Sequence, residues 1–247
     1  MGISENLSTV REKINNSAIK ADRNPDEIKL VAVTKTIELP RIIEAIEAGV
    51  TILGENRVQE AQKKVTSDEL RVMSNRIQWH LVGSLQKNKV KTAVHLFDLI
   101  HTIDSISLAE EVNKQSEKIG KQQRVLIQIK LAGEETKHGV LEKDLIELLE
   151  KVAKMDNLKL EGLMTMPPFF EDTEKTRPFF KRLREIRDNI NKLQVTSYKL
   201  RDLSMGMSND FEVAIEEGAT MVRIGTAIFA DGSSTTRRVE GKENSIV

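Results

Sequence analysis

The sequence predicts an α/β protein, a single (β/α)8 TIM barrel preceded by one extra N-terminal helix, and three observations carry that prediction. Eight short β-type runs alternate with amphipathic helical stretches across residues 1–230. That alternation implies right-handed crossovers and a parallel sheet, most simply closed on itself. A chain of 247 residues is the size of one such barrel. Finally, several runs end in polar or glycine-bearing motifs, at the end of the strands where barrels of this kind carry their chemistry.

The elements follow in order. An amphipathic helix with Leu7, Val10 and Ile14 on one face precedes the first strand. That strand, 28–35, is an apolar run closing on Lys35. Leu39, Ile42, Ile43 and Ile46 recur at helix spacing behind it. Strand candidates then fall at 51–55, 77–83, 99–103, 124–131, 158–166, 199–205 and 220–225. Leu141, Leu145, Leu148, Leu149 and Val152 predict one intervening helix, and Phe180, Leu183, Ile186, Ile190 and Leu193 a longer one. Ala45-Ile-Glu-Ala-Gly-Val-Thr and Ala214-Ile-Glu-Glu-Gly-Ala-Thr share a local grammar, in which Gly49 and Gly218 end a helix in the left-handed conformation. Residues 231–247 are polar and aperiodic, so they are expected to form a loosely ordered tail outside the barrel.

Composition excludes several functions. Lys+Arg and Asp+Glu are both 38, so no broad electrostatic case exists for nucleic acid or membrane. Cysteine is absent, which removes disulfides, thiolate metal sites and a cysteine nucleophile. The four histidines, His80, His95, His101 and His138, lack metal-ligand spacing. The amino terminus has no apolar signal core and no run approaches a membrane span, so a cytoplasmic protein is expected. A monomer is the simplest expectation.

The chemistry gathers at the strand ends. Lys35 either marks where a strand meets water or sits in a low-dielectric mouth, where its amine can attack an aldehyde. After the seventh run comes Ser204-Met-Gly-Met-Ser-Asn-Asp, in which Gly206 lets the chain bend and Ser208 can cap the helix starting near Phe211 or donate to an anion. Ser204 could add a second hydroxyl. The eighth run ends Met221-Val-Arg-Ile-Gly-Thr-Ala, where Gly225 and Thr226 can present backbone amides. Ordinary turn chemistry explains either segment alone; together, on adjacent strands, they make a phosphate cradle. Arg223 lies within its strand and needs an acceptor, either a carboxylate such as Asp202 or Glu55 or a ligand atom. Asn56 can donate to a ligand or cap the next helix, His80 is a core histidine or a ligand contact, and Met164, Met166 and Pro167 line a barrel mouth.

These segments together resemble the pyridoxal phosphate homeostasis proteins, the YggS/PROSC family. The matching blocks are Ala32-Val-Thr-Lys35, Gly54-Glu-Asn-Arg-Val-Gln-Glu, His80-Leu-Val-Gly-Ser-Leu-Gln-Lys-Asn-Lys, His101-Thr-Ile-Asp, Gly162-Leu-Met, Leu203-Ser-Met-Gly-Met-Ser-Asn-Asp and Val222-Arg-Ile-Gly-Thr-Ala-Ile-Phe, ordered between Val31 and Phe229. The resemblance implies a barrel like the amino-terminal domain of alanine racemase, holding pyridoxal 5′-phosphate as a Schiff base on Lys35. It also implies that Ser208, Gly225 and Thr226 bind the phosphate with Ser204 close by, that Arg223 faces the pyridine nitrogen, and that Asn56 and His80 line the ring. Leu81-Val82 stands where the family often has Phe-Ile, a repacking of the mouth.

An arginine can only donate, which leaves the ring nitrogen without a proton and makes the ring a poorer electron sink. Racemisation also needs acid–base groups on both faces of the α-carbon, and the fold-type relatives bring a tyrosine from a second domain. The chain is read as ending with its barrel, and its single tyrosine, Tyr198, sits at the start of the seventh run. The expected function is therefore a non-catalytic carrier that buffers or delivers the cofactor, meeting cofactor-dependent apoenzymes transiently. The alternatives are a weak amino-acid racemase or decarboxylase, and a phosphosugar aldolase whose lysine binds substrate directly.

Overall fold

The computed structural model describes residues 2–131, 138–194 and 199–230. Nine strands lie among them: β1 Lys29–Val33, β2 Ile52–Glu55, β3 Gln78–Leu81, β4 Leu99–Ile103, β5 Gln123–Lys130, β6 Val140–Leu141, β7 Leu158–Met164, β8 Asp202–Met207 and β9 Met221–Ile224. Eight of them close a ring in the order β1-β2-β3-β4-β5-β7-β8-β9, with β9 returning to β1. Every pairing in the ring is parallel. The helices are α1 Ile3–Lys20, α2 Leu39–Glu47, α3 Val58–Val65, α4 Asp68–Arg71, α5 Val90–Leu96, α6 Ile106–Glu117, α7 Leu145–Val152, α8 Arg177–Leu193, α9 Phe211–Glu216 and α10 Thr226–Phe229. The predicted TIM barrel with an extra first helix is the fold observed.

Strand alternation divides the core in two. Outward-facing residues such as Leu53, Ile100, Leu203 and Val222 pack under the helices. Inward-facing Val31, Val82, Leu99, Leu126, Met164 and Met221 form a separate apolar cluster inside the barrel. By the same parity His80, His101, Ser204 and Arg223 also face inward, and all are buried. Met164 therefore belongs to the barrel interior and does not line its mouth, whereas Met166 is half-buried beyond the end of β7.

Helix α1 buries Ile3, Leu7, Val10 and Ile14 and packs against α2, α9 and α10. Asn6 Nδ2 donates to the Ile228 carbonyl at 3.0 Å, and Lys13 and Lys20 pair with Glu212 and Glu216 of α9. Gly49 and Gly218 have φ of 92° and 99°, the left-handed helix ends expected of them.

Some boundaries differ from expectation. β1 stops at Val33, because Thr36 turns the chain with φ of 59°, so Lys35 stands in a turn two residues beyond the strand. Leu141 is not in α7: it pairs with Lys130 as part of the two-residue β6, and it is exposed. Tyr198, the tail 231–247 and the barrel boundary at 230 lie at or beyond the edge of the described residues.

Gly162 of β7 faces β8 so closely that a Cβ would run into the Asp202 carbonyl. Gly162→Ala should therefore destabilise the barrel by about 3 kcal/mol through displacement of paired backbones. Urea denaturation measures this, and a loss under about 1 kcal/mol would mean that the strands separate easily.

Candidate functional site

The carboxyl ends of β1, β2, β3, β8 and β9 meet at one mouth. The turn carrying Lys35 is held from below at Thr34. Its backbone N–H donates to the Gly54 carbonyl at 2.9 Å, and its hydroxyl donates to Glu55 Oε1 at 2.6 Å. Lys64 Nζ of α3 reaches both the Thr34 carbonyl at 2.6 Å and Glu55 Oε1 at 2.7 Å. Glu55 is fully buried, so this pair is an internal anchor that no motif in the sequence announced. Lys35 itself is exposed, not sunk in a low-dielectric mouth, since the strand that would have buried it ends early.

On the side of β1 away from β2, β9 and β8 build a compact turn pair. Gly206, with φ of 90°, lies so close to α9 that a Cβ would stand 2.6 Å from that of Ala214. Asp210 Oδ1 accepts from the Met207 N–H at 2.7 Å. Ser208 does not cap α9, whose N-cap is Asp210. Its Oγ instead accepts from the Gly225 and Ala227 N–H groups, at 3.2 and 3.3 Å, joining the two strand ends. The Ser208 hydroxyl hydrogen stays available for an outside acceptor. Gly225 is half-buried and Thr226 is exposed beside it.

Arg223 lies inside the barrel beneath this turn. Nη1 donates to Ser204 Oγ at 2.6 Å, and Nη2 donates to the Thr165 carbonyl at 3.0 Å. Neither carboxylate considered from the sequence is its partner. Asp202 accepts from Lys29 at 3.3 Å and from Thr220 at 3.0 Å, and Glu55 is held by Thr34 and Lys64. Burial pulls the guanidinium down to about 10, against the pull of the nearby Asp210 carboxylate, so it remains charged at neutral pH. Burial in turn pushes the Asp210 carboxyl up.

Ser204 is fully buried and its hydroxyl is engaged by Arg223 and by His101 Nδ1 at 2.8 Å. It supports the arginine from behind and is not beside Ser208 as a second surface hydroxyl. His101 Nε2 lies 3.0 Å from His80 Nδ1, with the two rings tilted and their centroids 5.0 Å apart. His101 and Thr165 are thus part of the site although sequence reasoning gave them no role; the inward parity of β4, with Leu99 apolar, was the available signal. Asn56 is half-buried and does not cap α3, whose N-cap is Arg57. It is packed so tightly against Gly83 that a Cβ there would strike the Asn56 carbonyl.

Cavities open at both ends of the barrel. One of about 770 Å³ adjoins the mouth and is lined by Asn56, Gly83, Ser84, Asp104 and His138 among others. Another, about 580 Å³, opens at the amino ends of the strands among Lys29, Arg124, Lys159, Arg201 and Asp202, and none of the predicted site residues lines it. Among the described residues no cluster of histidine and carboxylate side chains could hold a metal ion.

Burial pushes the His80 ring down to about 3 and the His101 ring well below its ordinary value, with nearby Arg124 and Lys29 adding to the effect. In the unfolded chain these rings take a proton near pH 6.5. Below that pH the unfolded state binds more protons than the native one, so stability falls as pH falls. The slope should reach about 1.4 kcal/mol per pH unit for each histidine between pH 6.5 and 5, above the range where most carboxylates titrate. Urea midpoints across that range test this, and a flat profile would mean that the rings accept protons in the native state.

Comparison with known proteins gives the following matches. Residues 5–232 match the family described as alanine racemase, N-terminal domain. The pyridoxal phosphate homeostasis protein of Aquifex aeolicus is 44% identical over 231 residues, covering 94% of this chain and 99% of that one. The protein of the same name from Escherichia coli K12 is 41% identical over 228 residues, covering 92% and 95% of the two chains. The structure of PipY from Synechococcus elongatus with PLP bound superposes with a TM-score of 0.81 at 33% identity, covering 92% of this chain and 99% of that one.

Proposed function

Because this chain belongs to the family of pyridoxal phosphate homeostasis proteins, we propose that it binds pyridoxal 5′-phosphate at the barrel mouth and serves intracellular homeostasis of that cofactor, holding and releasing it without turnover. The observation that carries this reading is Arg223. It is a buried cation whose bonds among the described residues go to neutral acceptors and use two of its five N–H groups. Its remaining donors suit an acceptor such as a pyridine nitrogen.

The other residues fit the same group. When bound, pyridoxal phosphate supplies an aldehyde that an amine can hold reversibly, with a visible absorption band. Lys35 is the amine assigned to that bond, on a turn anchored through Thr34 and Glu55. Ser208, whose oxygen is held by the Gly225 and Ala227 N–H groups, offers its hydroxyl hydrogen to the phosphate; Gly225 lets the chain approach closely, and Thr226 beside it adds its backbone N–H and hydroxyl. Asn56 and His80, from the ends of β2 and β3, stand toward the ring. Ser204 acts through Arg223.

Three features support holding over catalysis. The Arg223 guanidinium can only donate, which leaves a ring nitrogen unprotonated and the ring a weak electron sink. His80 and His101 are buried, neutral and bonded to each other, so neither is free to shuttle protons at the mouth. Lys35 is exposed, which leaves its bond open to water and to competing amines. The barrel is shared with alanine racemase, but a shared fold does not assign an activity. We further propose a cytoplasmic monomer that meets apoenzymes transiently; balanced charge and the absence of cysteine agree with this.

The purified protein should be yellow, and borohydride should fix the cofactor on Lys35. Lys35→Ala should abolish both signals, and an adduct found mainly on Lys87 or Lys137 would overturn the assignment. An aldolase of phosphosugars would show no such band.

Pyridoxal phosphate should bind at least about a hundredfold more tightly than pyridoxal, since several charge-assisted hydrogen bonds are at stake. Equal affinities would remove the cradle. Assays of racemisation and carbon dioxide release across the common amino acids should show no turnover, while transfer to an apoenzyme proceeds. Robust turnover lost with Lys35→Ala would establish the enzyme reading instead.

A further inference from the structure

Four buried groups cross the barrel interior in single file. Arg223 Nη1 stands 2.6 Å from Ser204 Oγ, Ser204 Oγ 2.8 Å from His101 Nδ1, and His101 Nε2 3.0 Å from His80 Nδ1. None of these residues is more than 4% exposed. The file ends at His80 Nε2, which is buried and has no hydrogen-bond partner among the described residues.

One end decides which way every proton points. A guanidinium only donates, so Ser204 Oγ is the acceptor in the first bond. Ser204 has one hydrogen of its own, and among the described residues the other polar partner of its oxygen is His101 Nδ1. Were Nδ1 protonated, two donors would face one oxygen, and the serine hydrogen would be buried without an acceptor. The hydroxyl therefore donates to Nδ1. A neutral His101 then carries its proton on Nε2 and donates to His80 Nδ1, and a neutral His80 carries its proton on the unpartnered Nε2.

We infer that Arg223, Ser204, His101 and His80 form a one-way hydrogen-bond relay in which the charge of the arginine sets the tautomers of both histidines, and that His101 is a positioning residue of the ligand site. By giving Ser204 a fixed place for its hydrogen, His101 keeps the serine lone pair turned to Nη1. The Thr165 carbonyl pins Nη2, so the guanidinium plane is held and its remaining N–H groups keep one direction. The relay leaves a donor, not a lone pair, at the His80 end. Protonation of the file is opposed from all sides, since His101 faces His80, Arg223, Arg124 and Lys29, and His80 faces Arg124 and Lys29.

The consequence for ligand binding rests on the proposed role of Arg223, but the relay is measurable without any ligand. The test is long-range proton–nitrogen correlation of the ligand-free, full-length chain labelled with 15N-histidine, at pH 7 and pH 5. With four histidines in the chain, two exposed, the signals are separable. His80 and His101 should both show Nε2–H tautomers with unprotonated Nδ1 at either pH. In Ser204→Ala, His101 should lose its single tautomer, and pyridoxal phosphate affinity should fall about tenfold with a shifted absorption band, while borohydride still traps Lys35. An Nδ1–H tautomer of His101 in the unmutated protein would overturn the relay, and so would a Ser204→Ala variant with its tautomer unchanged. Should that variant not fold, the measurement on the unmutated chain decides alone. Failure of the cofactor reading would appear separately, as absence of the Lys35 adduct with the tautomers as stated.

Discussion

A positive charge fixed inside a barrel is an expensive thing to keep, and the interior of this protein is arranged around one. Arg223 has been taken out of water with no carboxylate bonded to it, Asp210 attracting it only through space, and such a burial costs several kcal/mol or more when the guanidinium is left unmet. Two neutral oxygens meet it in part, the Ser204 hydroxyl and the Thr165 carbonyl. Neutral acceptors satisfy geometry, and the charge is offset only in part, by the nearby Asp210. A carboxylate in the same place would have closed the site electrostatically. Asp202 and Glu55, the strand acids considered from the sequence, are instead tied to Lys29 and Lys64.

The tiers of the interior follow from that arrangement. Packed among the polar residues is the apolar cluster of Val31, Val82, Leu99, Leu126, Met164 and Met221, with Met164 and Met221 in register with Ser204, and it excludes water from them. Above it the strand ends hand over to short turns, each tied by a specific bond: Thr34 to Glu55, Ser208 to the Gly225 amide, Asp210 to the Met207 amide. The turns that carry the groups we propose for binding thus stand on a packed base, as preorganised sites require.

Much of this was legible in the sequence because strand parity and glycine placement are local signals. The eight barrel strands, Gly49 and Gly218, Gly225 at the end of β9 and the inward arginine of β9 could be read from spacing alone. What could not be read depended on partners distant in sequence. Ser208 sits before α9 and reads as its cap, yet its oxygen bonds to amides on the next strand end. Ser204 reads as a surface hydroxyl until Arg223 and His101 are seen to hold it from either side. His101 stands in Leu-Ile-His-Thr-Ile, a run in which a histidine carries no sign of what faces it across the barrel. Leu141 fitted a helical period, but the local pairing of β6 with β5 took precedence over it.

The ring is closed by its first and last strands, with Lys29 to Ala32 of β1 in register with Met221 to Ile224 of β9. Synthesis delivers these strands nearly a whole chain apart. Until the last one arrives, β1 presents an unpaired edge, and α1 has neither α9 nor the Ile228 carbonyl to rest on. Such non-local closure is slow, and open-edged intermediates are prone to associate with one another. Arg223 travels on the closing strand, and Gly225 follows directly behind it. A nascent chain therefore carries its lysine early but has no pocket until the circle is complete. Any ligand held at that mouth reinforces the closed ring alone, bearing on the seam that synthesis completes last.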